Sequence, residues 1–131
     1  MKDQSVENDR VVVPPRGGLM HVVDAAGYSL AGFRRLMRET AARLELLGAV
    51  ALIAAFLWRG AAPWHWAGLV LLMVLVLVVE TLNTAIEVLT DRISPEWSEM
   101  ARDAKDLGSL AVGLMLTATG AYAALVLARL I

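Results

Sequence analysis

Four side chains able to move protons or hold a cation sit close together in ETLNTAIEVLTDR, residues 80–92: Glu80, Asn83, Glu87 and Asp91. At about 100° per residue they leave one side of a single helix, within a spread of about 80°. They follow LVLLMVLVLVV, residues 69–79, which has no polar side-chain atom. An ionised carboxylate beside hydrocarbon is costly, and is usually kept for a site, a partner or an ion. The column is therefore either a reactive site or a polar stripe bonded between packed helices. Glu39, Glu45, Lys105, Asp106 and Ser109 are further polar groups that could join it. Carboxylates from several elements suit a hard divalent cation such as Mg²⁺. A lysine beside them suits phosphate. Carboxylate, metal and lysine together are what phosphoryl transfer requires.

Other chemistries are excluded. The chain has no cysteine, so it has no thiolate ligand, disulfide or Cys nucleophile. It contains no GxxxxGK[ST] loop and no soluble protein-kinase motif. A net charge of −1 gives no field for nucleic acid.

The elements that must position these groups are apolar. Of the 131 residues, 58% are hydrophobic, above the share usual for a soluble domain. Three apolar segments stand out: Leu46 to Trp58, Trp66 to Val79, and Leu107 to Ile131. A membrane span needs roughly 20 mostly apolar residues. The third segment reaches that alone, and the others reach it with flanking polar residues such as Glu45 and Glu80. A soluble bundle would show a polar helix face, and the third segment has none. Trp58, Trp64 and Trp66 surround the first hairpin, as an aromatic belt would. The expected spans are about 44–60, 64–90 and 105–131.

Basic residues set the orientation. Arg10, Arg16, Arg34, Arg35, Arg38 and Arg43 precede the first span, and Arg92, Arg102 and Lys105 lie between the second and third. The N-terminus and the second loop are thus expected in the cytoplasm, with the first hairpin and the C-terminus outside. Residues 1–17 are polar, lack the apolar core of a secretory signal, and read as a flexible tail. Val22, Ala26, Leu30, Phe33 and Met37 recur at helical spacing, which predicts an amphipathic surface helix over 19–43, with Gly32 as the place for a break. Pro95 after Ser94 suits a short helix capped by Ser94.

At this point the sequence resembles a family, the small bacterial integral-membrane diacylglycerol kinases. The resemblance covers about residues 22–131. It rests on AAGYS (25–29), Glu39–Arg43–Glu45, ETLNTAIEVLTDR (80–92) and AKDLGSLAV (104–112). It implies an all-α membrane protein with a surface helix and three transmembrane helices, in the bacterial inner membrane. It implies a homotrimer with active sites at subunit interfaces. The implied reaction moves the γ-phosphate of MgATP to the hydroxyl of diacylglycerol, giving phosphatidic acid.

Residue roles follow from the same resemblance. Glu80 resembles the general base, with Asn83 orienting it or the phosphate and Lys105 neutralising the triphosphate. Glu39 and Glu87 resemble ligands of Mg²⁺. Tyr28, Asp91, Glu96, Trp97, Ser98 and Asp106 resemble nucleotide-side residues, and Ala25, Ser29, Glu45 and Ser109 lipid-side ones. His21 stands near where many members carry a basic nucleotide contact. The stretch from Gly32 to Glu39 is one residue shorter than usual, which turns residues 19–31 by about 100°.

Each role has a plainer counterpart. Tyr28 would also serve as an interfacial anchor, Glu45 as a partner of Arg43, Asp91 as part of a helix-end pair with Arg92, and Ser109 as a small packing residue. Two other functions share these features. One is undecaprenol kinase, against which DRISPEWSEMARDAKDLGS favours the diacylglycerol type. The other is a non-catalytic membrane subunit whose acids stabilise an oligomer.

Overall fold

A computed structural model describes residues 18–131, so the expected tail at 1–17 lies outside the described residues. Four helices follow in order: α1 (Leu19–Leu36), α2 (Thr40–Arg59), α3 (Pro63–Ile93) and α4 (Glu99–Leu127). The chain divides into two compact units, Met1–Ala31 and Gly32–Ile131. The second holds α2, α3, α4 and the last turn of α1.

α2, α3 and α4 are each long and apolar enough to cross a membrane. The 20 residues of α2 make about 30 Å of helix, the thickness of a bilayer's hydrocarbon core. The 31 residues of α3 make about 46 Å. Its apolar part ends at Val79, so Glu80 stands about 26 Å from the helix start and the acidic turns project beyond. Length alone therefore places the polar column at the edge of an apolar layer.

Packing is closest between α3 and α4. At one end Phe56, Leu69, Ala123 and Val126 form the buried core, joined by Leu52, Trp66, Met73 and Tyr122. Phe56 and Trp66 meet edge to face with centroids 5.6 Å apart. The Tyr122 hydroxyl donates to the His65 carbonyl at 2.9 Å, tying α4 to the start of α3. Gly60 closes α2 with φ 65°, a left-handed turn that suits glycine. The carboxylates occupy the opposite end of α3. Large apolar side chains such as Leu47, Leu71, Val74 and Leu114 remain exposed along all three long helices. In water such surface would be unfavourable by about 25 cal/mol per Å². Lipid or further protein is its natural surroundings.

Two boundaries differ from the sequence expectation. The helix predicted over 19–43 closes at Leu36, and α2 begins at Thr40. Arg38 N donates to Arg35 O and Glu39 N to Leu36 O in the closing turn. Glu39 then takes an extended backbone, with ψ 136°. Leu36 and Ala42 are both buried, yet on one straight helix they would point about 120° apart. The break lets both turn inward. It also makes Glu39 the residue before α2 and Glu45 a residue of α2, rather than the end of a surface helix. The second difference lies in the loop after α3. Ser94 caps no short helix. It ends α3, and its hydroxyl donates to Glu96 O. The cap belongs to Ser98, whose Oγ accepts from Ala101 N at 3.2 Å at the start of α4.

Candidate active site

Three separate stretches of the second unit converge on one pocket of about 200 Å³. It is lined by Glu39 and Ala41 from the α2 start, Glu80, Asn83 and Glu87 from α3, and Ser109 and Val112 from α4. The spacing of Glu80, Asn83 and Glu87 puts all three on the inward side of α3. Small residues on α4, Ala101 and Gly108 among them, are buried and let α4 approach.

Glu80 is only 3% exposed. None of the hydrogen bonds or ion pairs among the described residues engages its carboxylate. Glu87, Glu39 and Glu45 all lie within electrostatic reach of it. Like charges so gathered repel one another, and the pocket therefore favours a cation. Asn83 is buried and donates from Nδ2 to Glu87 Oε1 at 3.2 Å. Its Oδ1 is buried with no hydrogen-bond partner. An orphaned amide oxygen costs about 1–3 kcal/mol, a penalty a structural stripe would have no reason to retain. Glu45 Oε2 is likewise buried without a hydrogen-bond partner. Asn83 also lines an apolar groove of about 550 Å³ between α3 and α4, bounded by Val79, Leu82, Ile86, Leu107 and Gly108.

Two ion pairs involve or neighbour the carboxylates of the smaller pocket. Lys105 donates to Asp91 Oδ1 at 2.5 Å, across from α4 to α3, and lies within electrostatic reach of Glu87. Arg35 pairs with Glu39. That pair went unforeseen, although the i,i+4 spacing of Arg35 and Glu39 carried the signal. Gly108 was also missed, although it lies inside AKDLGSLAV.

The remaining expected residues of the second unit do not line the pocket. Asp106 is largely exposed, 3.9 Å from Arg102 Nε. Glu96 and Trp97 are exposed in the loop before α4. Ser98 is engaged as the α4 cap. His21, Ala25, Tyr28 and Ser29 belong to the first unit, where Ser29 Oγ donates to Ala25 O at 3.0 Å and Tyr28 is exposed.

Oxygen donors and unneutralised negative charge fit a hard cation. Among the described residues no three acidic or imidazole groups stand close enough to enclose a metal alone. A pair of carboxylates can, however, share Mg²⁺ with substrate phosphates, which is how that ion is commonly held in phosphotransfer sites.

Apolar helices of spanning length, with the unpartnered carboxylate of Glu80 buried between them, define a membrane-enzyme architecture. The chain belongs to the prokaryotic diacylglycerol kinase family, whose sequence profile matches residues 27–127. It is 44% identical over 114 residues to a diacylglycerol kinase of Sinorhizobium, covering 87% of this chain and 83% of that one. It is 41% identical over 102 residues to one of Pseudomonas aeruginosa, covering 76% and 82%. Identity to that of Escherichia coli K12 is 36% over 96 residues, covering 72% and 79%. Membership makes the chain a kinase, and its activity therefore draws on a nucleotide.

Proposed function

We propose that this chain transfers the γ-phosphate of MgATP to the hydroxyl of diacylglycerol, giving phosphatidic acid and ADP. The observation that carries the reading is the buried, unpartnered carboxylate of Glu80 beside Glu39, Asn83 and Glu87. A general base must be free to accept a proton and must lie within reach of the reacting hydroxyl. Glu80 sits where the apolar run of α3 ends, the depth at which a lipid hydroxyl lies.

Glu80 takes the hydroxyl proton as the lipid oxygen bonds to the γ-phosphorus. The bond from that phosphorus to the bridging oxygen breaks, and ADP departs with its electron pair. Glu39 and Glu87 would hold Mg²⁺. When bound, Mg²⁺ neutralises charge on the phosphate oxygens. Asn83 orients Glu87 through its amide, and Lys105 turns from Asp91 toward the phosphates. Asp91, Asp106, Glu96, Trp97, Ser98, Tyr28 and His21 are assigned to the nucleotide side. Ala25, Ser29, Glu45 and Ser109 are assigned to the lipid side.

In this reading the enzyme is a homotrimer of the bacterial inner membrane. The exposed apolar faces of α2, α3 and α4 support lipid and subunit contacts. The arginines before α2 and around the α3–α4 loop support a cytoplasmic N-terminus and second loop, so that MgATP meets the acidic turns of α3 from the aqueous side. The C-terminus is then outside.

Phosphate transfer from labelled ATP is measured with the purified protein in mixed micelles, with Mg²⁺, to diacylglycerol and to undecaprenol in parallel. Preference for diacylglycerol is expected. Preference for undecaprenol would keep the chemistry and replace the substrate. A folded oligomer that transfers to neither would overturn the kinase reading in favour of a scaffold subunit.

A further inference from the structure

Gly108 stands where α4 passes closest to Asn83. It is buried, and its backbone φ is not positive, so conformational freedom does not explain a glycine here. Space does. A Cβ at this position would collide with Asn83 Oδ1 and would come within 3.2 Å of Asn83 Cγ. The amide oxygen thus occupies the volume a side chain at 108 would need. Gly113 and Gly120 on the same helix have open space instead, so the close approach is particular to Gly108.

The two ends of the Asn83 amide have different surroundings. Nδ2 donates to Glu87 Oε1 at 3.2 Å. Oδ1 lies against Gly108 with no hydrogen-bond partner. The reverse amide orientation would set Oδ1 against the Glu87 carboxylate, oxygen to oxygen, and is disfavoured on charge alone. Asn83 and Glu87 both line the pocket that holds Glu80. Anything that moves the Asn83 amide therefore moves a carboxylate of that pocket.

We propose that Gly108 is a positioning residue: the gap it leaves in α4 seats the Asn83 amide, and the seated amide aims Glu87 into the pocket. This rests on the phosphotransfer reading above. A methyl at 108 pushes the amide off its seat and releases Glu87. The expected loss of turnover is on the order of 100-fold, as for small misplacements at other active sites. The apparent affinity for MgATP falls with it, because the displaced group is the one assigned to the metal.

The test is a double-mutant cycle on Gly108→Ala and Asn83→Ala, read by kcat, KM for MgATP and melting temperature. Gly108→Ala alone is expected to lower kcat and raise KM for MgATP. In the Asn83→Ala background the same change is expected to cost nothing further, since the displaced amide is gone. Wild-type kinetics in Gly108→Ala would overturn the proposal. So would equal, multiplying losses in both backgrounds, which would mark Gly108 as a helix spacer only. If Gly108→Ala does not fold, the double variant is expected to fold, and its failure to do so would overturn the proposal too. Absence of transfer by the wild type would refute the kinase reading instead. The melting-temperature cycle then still decides whether Gly108 and Asn83 are coupled.

Discussion

The Lys105 ammonium lies 2.5 Å from Asp91 Oδ1, so the polar end of α4 is tied to the last turns of α3 by one ion pair. Both side chains are well exposed. Exposed pairs of this kind contribute about 0–1 kcal/mol, too little to be the reason for the lysine. The role proposed for it rests instead on the charge it holds near Glu87. Lys105→Ala is therefore expected to raise KM for ATP strongly and lower kcat, while melting temperature changes little. Asp91→Asn, which frees the lysine, is expected to have a milder effect. Steady-state kinetics on both variants, beside thermal melts, check this. A large stability loss with unchanged KM in Lys105→Ala would make the pair structural.

Glu80→Gln keeps the shape of the buried side chain and removes the proposed base. General-base catalysis contributes typically 10²–10⁴-fold, and turnover is expected to fall by roughly that factor. Nucleotide binding and the oligomer are expected to persist. Transfer assays with equilibrium ATP binding separate the two. Full activity in this variant would remove Glu80 from the mechanism.

Glu39 and Glu87 give a different pattern. Either one changed to Gln is expected to raise KM for MgATP and to steepen the dependence on free Mg²⁺, with added Mg²⁺ recovering part of the rate. An unchanged Mg²⁺ titration would count against their assignment as ligands. Arg35 offers a control, because it pairs with Glu39 on the protein's own side. Arg35→Ala is expected to leave stability within about 0.5 kcal/mol.

Much of the pocket lining is legible in the sequence. The 3.6-residue period places Glu80, Asn83 and Glu87 on one face, and the apolar run before Glu80 sets its depth. The pocket joins Glu39 and Ser109 to them, as the motif resemblance implies. Helix periodicity carries such information because it is local. What escaped depends on neighbours far along the chain. The stop at Leu36 follows from burying Leu36 and Ala42 together, and it falls four residues past Gly32, the place where composition suggests a break. The role of Gly108 depends on an amide 25 residues earlier. Ser94 and Ser98 are both plausible caps by type, and only the path of the loop decides between them.

Ser98 provides the last test, since two roles compete for it. Its hydroxyl accepts from Ala101 N and caps α4, yet family resemblance sets it on the nucleotide side. Ser98→Ala removes the cap, at a cost of about 1 kcal/mol, and a lower melting temperature is expected. Ser98→Asp supplies an equally good cap with a negative charge at a helix N-terminus, where it is favourable. If Ser98 only caps, the aspartate variant restores stability and leaves KM for ATP unchanged. If the hydroxyl also meets the nucleotide, the added charge repels the triphosphate, and KM for ATP rises although the fold is intact. The second outcome is the expected one. α4 carries Lys105 two turns beyond the cap, so its first turn faces the same aqueous side from which the triphosphate must arrive.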